Sequence, residues 1–153
     1  MTPKELQDLS VYPAFPETVR ELVRVLGLEA AAAVVTHFAG RSFRVPVAVS
    51  SPFQRPASRS RREILKCISF EVLTQLVKEM GGCDIYIPSC QKAMLQKQAD
   101  KIRAEFDMLT GKTGGYTFRQ AIFDLAGRYH RSDRWIEKVL KQPSINPRKE
   151  AVI

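Results

Sequence analysis

The strongest constraint on how this chain can fold is an internal repeat. Shifting the sequence by 42 positions lays Arg20–Pro46 over Arg62–Pro88 across 27 columns without a gap. Arg20/Arg62, Glu21/Glu63, Glu29/Glu71, Val35/Val77, Gly40/Gly82 and Pro46/Pro88 are identical pairs. Leu22/Ile64, Val23/Leu65, Leu26/Ile68, Leu28/Phe70, Val34/Leu76, Phe38/Met80, Phe43/Ile85 and Val45/Ile87 match in apolar kind. The shared order of helical stretch, glycine, β-rich triplet and proline points to one supersecondary unit used twice.

Both copies follow the same grammar. Apolar residues at 22, 23, 26, 30, 34, 35 and 38 recur at helical spacing, as do those at 64, 65, 68, 72, 73, 76, 77 and 80. Pro16 and Glu17 suit a first helical turn, where a missing amide is harmless and a carboxylate favours the macrodipole. Gly40 and the Gly81-Gly82 pair stop the helices. Phe43-Arg44-Val45 and Ile85-Tyr86-Ile87 then read as short strands, each closed by a proline that cannot donate to a ladder. Each copy is therefore expected to be one helix, a tight stop and a strand, together forming a unit over residues 1–90. Between the copies, Ser50–Arg62 is rich in Ser, Pro and Arg and reads as a mobile basic loop.

The C-terminal third has a different pattern. Apolar positions 94, 95, 99, 102, 106 and 109 predict a helix over Gln91–Met108, broken at Thr110–Gly115. Thr117 is a plausible N-cap for a helix to about Tyr129, with Phe118, Ile122, Leu125, Ala126 and Tyr129 as its apolar stripe. After His130-Arg131-Ser132, a second helix runs from Asp133 to Gln142, capped by Ser132 and buried through Ile136, Val139 and Leu140. Two short helices joined by about three residues suggest a helix-turn-helix within a unit over 91–142, and 143–153 reads as a polar tail. The usual turn glycine is replaced by His130, a residue able to visit the left-handed region less easily.

Charge separates the classes of function. The formal net charge is +8, from 24 Lys+Arg against 16 Asp+Glu. Residues 41–66 hold seven basic groups and one acidic, and residues 108–153 hold nine against four, so the excess lies in two blocks. Two basic blocks attract polyanions, because binding releases counterions condensed on phosphates. A hydrophobic fraction of 44% and a charged fraction of 26% suit a globular protein. No apolar run approaches the roughly 18 residues of a membrane span. The opening Met-Thr-Pro-Lys-Glu-Leu lacks a secretory pattern, and three unpaired-looking cysteines fit a reducing cytosol, so a cytoplasmic location is expected. Three Cys and two His lack ligand spacing, and Gly111-Lys112-Thr113 lacks the upstream glycine of a phosphate loop. Asp100, Glu105 and Asp107 read as solvated helix charges. No catalytic residue, metal or cofactor is expected, and the chain does not read as an enzyme.

The run Gly81-Gly82-Cys83-Asp84-Ile85-Tyr86-Ile87-Pro88, the Ile102–Phe106 helix, Gly111 and the helix pair resemble the Mor transcription activator family of Mu-like phages, over residues 62–142. The resemblance implies a mostly α fold: an N-terminal helical dimerisation unit, a short antiparallel β-ribbon and a C-terminal helix-turn-helix. It implies a sequence-specific activator of phage or prophage genes that binds double-stranded DNA and recruits host RNA polymerase, in the nucleoid of a bacterial host. By that analogy, Ile85–Ile87 would form a ribbon near the minor groove and Ser132–Lys141 would supply the recognition helix. The duplicated unit departs from the family pattern, so strand 43–45 is expected either to pair with 85–87 inside one chain or to join a homodimer.

The residues expected at DNA lie in the second helix, the ribbon and the basic loop. Ser132, Asp133, Arg134, Glu137, Lys138 and Lys141 line the exposed face of the second helix, where Arg134 could read guanine and the lysines could meet phosphate. Arg119, Arg128, Arg131 and Tyr86 are further contacts, and Arg55, Arg59, Arg61 and Arg62 are possible phosphate contacts in the loop. Trp135 reads either as core or as a residue packing on a sugar or a thymine methyl. The competing function is a non-enzymatic protein-interaction factor, an antirepressor or host-takeover protein on the same fold.

Overall fold

A computed structural model describes residues 1–49 and 59–143. Among these residues the order is α1 (Pro3–Ser10), α2 (Glu17–Leu26), α3 (Leu28–Phe38), β1 (Arg41–Arg44), α4 (Arg59–Ile64), α5 (Phe70–Met80), β2 (Asp84–Ile87), α6 (Gln91–Thr110), α7 (Phe118–Tyr129) and α8 (Asp133–Lys141). The fold is mostly helical, with one small antiparallel sheet. Among the described residues no helix is long and apolar enough to cross a membrane.

Helix α1 was not anticipated, although its signal is local. The Thr2 hydroxyl accepts from the Glu5 amide at 3.2 Å and the Glu5 carboxylate accepts from the Thr2 amide at 2.7 Å, a reciprocal cap preceding an apolar turn. These bonds hold the Glu5 carboxyl below its usual pKa. Helix α2 is tied back to α1 by Arg20, which is buried. Its guanidinium donates to the Ser10 carbonyl at 2.9 Å, lies 5.0 Å from the Phe15 ring centroid and meets Glu17 at 3.5 Å. Arg62, its counterpart in the second copy, is exposed.

Each copy of the repeat contains two helices where the periodicity predicts one. Gly27 takes φ 81 and ψ 166, values absent from a helix interior, so α2 ends and α3 begins there with no change in the apolar phase. In the second copy the break falls between Ile64 and Phe70, and Ser69 caps α5 by accepting from the Val72 amide at 3.3 Å. The expected mobile loop does not extend to Arg62. Arg59–Arg62 belong to α4, whose turn is anchored by fully buried Ile64; residues 50–58, Arg55 among them, lie outside the described residues.

The strands pair antiparallel, with Arg41 opposite Ile87, Ser42 opposite Tyr86, Phe43 opposite Ile85 and Arg44 opposite Asp84. Phe43, Val45, Ile85 and Ile87 turn inward. The first apolar cluster runs from Leu6 to Ala93 and packs α1, α2, α3, α5 and the ribbon together. A second cluster holds Ala99, Ile102, Ile122, Leu125, Ala126, Ile136 and Val139, from α6, α7 and α8. Helix α6 feeds both clusters, so one continuous 20-residue helix joins the two cores. The sequence tail from residue 144 onward lies outside the described residues.

Two glycines in the C-terminal third play opposite parts. At Gly114 a Cβ would fall 2.2 Å from the Leu109 carbonyl oxygen and 2.3 Å from that of Met108, within the turn that returns Tyr116 to Leu109. At Gly127 in α7 a Cβ would meet nothing within 4 Å. Gly114→Ala is expected to destabilise by about 1–3 kcal/mol, the range for overpacking against fixed atoms. Gly127→Ala should stabilise by up to about 1 kcal/mol through helix propensity. Urea unfolding of the two variants checks both signs.

Candidate nucleic-acid interface

Helix α8 sits on both α6 and α7. The Ser132 hydroxyl accepts from the Trp135 amide at 3.3 Å and starts the helix, while Ile136 and Val139 are buried beneath it. That burial turns Arg134, Lys138 and Lys141, at spacing i, i+4 and i+7, outward as one exposed cationic row. Ser132 and Asp133 are exposed at its start, and Glu137 is half-buried. Arg131 lies with its guanidinium 4.9 Å from the Trp135 ring centroid, which fixes a further cation beside the first turn of α8. Trp135 itself is half-buried and packs against the second cluster.

The turn that sets α8 against α7 depends on His130. It adopts φ 50 and ψ 47, the left-handed region, and the Arg131 amide returns to the Ala126 carbonyl at 3.0 Å to close the end of α7. A histidine thus occupies a conformation that glycine takes without steric cost. At the other end of α7, Thr117 and Gln120 form a reciprocal cap, and exposed Arg119 lies in the first turn. Phe118 rests edge-on against Phe106 of α6, with ring centroids 5.5 Å apart.

Not every basic residue faces outward with a free charge. Arg128 bonds to Asp124 at 2.7 Å and to Glu105 of α6 at 3.7 Å, so two carboxylates hold it as a brace between α6 and α7. The Tyr129 hydroxyl donates to the same Glu105 at 2.8 Å. Burial and the adjacent Glu105 push that phenol up to about 12. Arg61, expected at phosphate, is buried with its guanidinium 6.0 Å from the Phe70 ring centroid. Only 7% of the residue is exposed, so little of Arg61 is open to a phosphate, in contrast to its neighbours. Arg59 and Arg62 are exposed on α4.

The ribbon forms a second exposed surface. Alternation along the strands places Ser42, Arg44, Asp84 and Tyr86 on the face opposite Phe43 and Ile85, and Tyr86 is 57% exposed. Arg44 was not singled out from the sequence, although its position next to Phe43 carries the signal. It lies 4.0 Å from Asp84, one step along from Tyr86. Arg41 is engaged locally, donating to the His37 carbonyl and lying over Phe38. Among the described residues no group of three or more His, Cys, Asp or Glu is placed to hold a metal ion.

A paired-helix unit with a cationic outer row and a strand ribbon bearing Arg44 and Tyr86 can be compared with known proteins. The model of the Mor transcription activator family matches residues 56–150. The chain belongs to the Mor transcription activator family. No curated protein and no solved structure matches it. Membership of a transcription activator family points to a role in transcription regulation, a class of protein whose partners are DNA and the transcription machinery. The Mor match takes in the second copy of the repeat together with α6, α7 and α8, whereas the first copy precedes it.

Two substitutions test the geometry around the turn. His130→Gly is expected to raise stability by roughly 0.5–1 kcal/mol, the left-handed cost removed less the extra freedom glycine brings to the unfolded chain. Thermal unfolding reads it. Tyr129→Phe should cost about 1 kcal/mol near neutral pH. Because the folded phenol titrates above its ordinary value, its stabilisation is present below pH of about 10 and fades as pH rises through about 12. The variant should lack a tyrosinate absorbance step there.

Proposed function

We propose that this Mor-family chain is a sequence-specific DNA-binding activator of phage or prophage genes that recruits host RNA polymerase. In this reading α7, the His130 turn and α8 are a helix-turn-helix, and α8 enters the major groove. The single observation that supports it best is the division of α8, with Ile136 and Val139 buried and Arg134, Lys138 and Lys141 in an outward row. Arg134, near the start of the helix, is placed for a base edge, and Lys138 and Lys141 for phosphates. Ser132, Asp133, Glu137, Arg131 and Arg119 flank that contact. Tyr86 and Arg44 on the ribbon, with Arg59 and Arg62 on α4, offer additional backbone contacts. Arg128, which pairs with Asp124 and Glu105 and is still half exposed, is a further candidate contact beside the helix pair.

A second reading is a non-enzymatic protein-interaction factor on the same fold. Phe123 and Met108, 77% and 73% exposed, favour it because neither brings phosphate or base-edge chemistry. The two readings part in one experiment. On duplexes from the promoters neighbouring its own gene, Arg134→Ala should relax preference at one base pair by about 1–3 kcal/mol. Lys138→Ala should weaken binding evenly across sequences and lower the salt slope by about one. Unchanged footprints and affinities in both variants would support the interaction reading instead.

A further inference from the structure

The offset of the repeat and the register of the ribbon are the same. Phe43 pairs with Ile85, and these two residues lie 42 positions apart, in one column of the repeat. A strand pair with equivalent residues opposed at its centre has a two-fold axis through that pair, as an isologous dimer contact does. The neighbouring pairs exchange under it: Ser42 opposite Tyr86 becomes Asp84 opposite Arg44. The bonds that close the ribbon exchange as well. The Gly40 amide donates to the Ile87 carbonyl at 2.7 Å, and the Gly82 amide to the Val45 carbonyl at 3.1 Å, with φ 74 and 81 at the two glycines.

The helices obey the same shift. Helices α3 and α5 span identical columns, 28–38 and 70–80. Gly27 and Ser69, the N-caps of α3 and α5, also fall in one column, although α4 ends four columns earlier than α2. These agreements come from backbone geometry and do not depend on the six identities.

We propose that the ribbon is a complete two-fold interface closed inside one chain, leaving a monomer that presents one reading helix to an asymmetric DNA site. The DNA half of this inference rests on the function proposed above. The isologous surface is occupied, since the strand and inner face that a second copy would cover are already covered by the other half of the same chain. The two halves differ in the segment that each strand leads into. Pro88 leads into α6, α7 and α8, which together with their turns span residues 91–141, whereas in the sequence only residues 47–61 separate Pro46 from the second copy of the repeat at Arg62. The Mor match covers the half with the helix pair, and the first half supplies its strand partner. One platform therefore carries one head.

Light scattering on the full chain, without DNA and at micromolar concentration, should return the single-chain mass of 17.3 kDa; a dimeric mass overturns the closed interface. A second measurement separates closure from strand exchange. Ser42→Cys with Tyr86→Cys, in a Cys83→Ser background, should oxidise to a cross-link that runs at single-chain mass on a non-reducing denaturing gel. A covalent dimer would overturn the proposal. Duplexes selected by the protein from a randomised pool should carry one non-palindromic element. Duplicating that element as an inverted repeat should raise affinity by no more than a statistical factor of about two, against roughly 10²–10⁴-fold for two linked heads. Selection of an inverted repeat bound by two chains would overturn the asymmetric site. Failure to select any duplex would overturn the DNA-binding reading and the asymmetric site with it, while the mass and cross-link still decide the interface.

Discussion

Four inward side chains on the ribbon set the frame for everything else. Two strands of four residues do not hold each other in water. Phe43, Val45, Ile85 and Ile87 are buried, and at roughly 1.5–3 kcal/mol each their burial is worth on the order of 6–12 kcal/mol as an upper bound. A slip of the first strand by one residue would turn Phe43 and Val45 outward and Ser42 and Arg44 inward while its partner stayed in place, so the register is fixed by burial more than by the ladder. From that register the approach of each helix follows. Phe38 at the end of α3 stacks on Phe43 with ring centroids 4.9 Å apart, which ties the helix to the strand it precedes.

Helix α6 carries this frame to α8. It starts after Cys90, which is buried at φ 57 with its thiol pushed up to about 11 by that burial. Ala93 enters the first cluster, and Ala99 and Ile102 the second. Side bonds fasten its early turns to the N-terminal unit: Gln96 accepts from the Ala14 amide at 3.1 Å and Lys97 meets Asp8 at 2.9 Å. The angle between ribbon and α8 is thus set by packed helix rather than by a linker. For the function proposed above, that rigid spacing would hold the ribbon and α8 in a fixed relation.

The parts of the fold legible in the sequence were those with local signals. Thr117, Ser132 and the stripe through Ile122, Leu125 and Ile136 placed α7 and α8 to within a residue. Helix α1 had an equally local signal in Thr2 and Glu5 that went unread. The double break in the repeat was hidden because apolar spacing keeps its phase across Gly27, and periodicity does not report backbone dihedrals. The site was less legible, because the fate of an arginine depends on distant residues. Glu105, which holds Arg128, comes from another helix, and the Phe70 ring beneath Arg61 lies across a helix break. Counting charge could locate the two basic blocks but could not tell a brace from a contact.

Arg20 and Arg62 show what a closed pair permits. They are the same residue in the same column, yet one is buried between Ser10, Phe15 and Glu17 while the other faces solvent. In a dimer of identical chains each substitution is made on both sides of the axis at once, so a change that helps one side must be tolerated by the other. With both halves on one polypeptide, each position mutates singly. One half can then drift toward holding the scaffold together while the other keeps the surface that meets a partner, a division of labour closed to a symmetric pair.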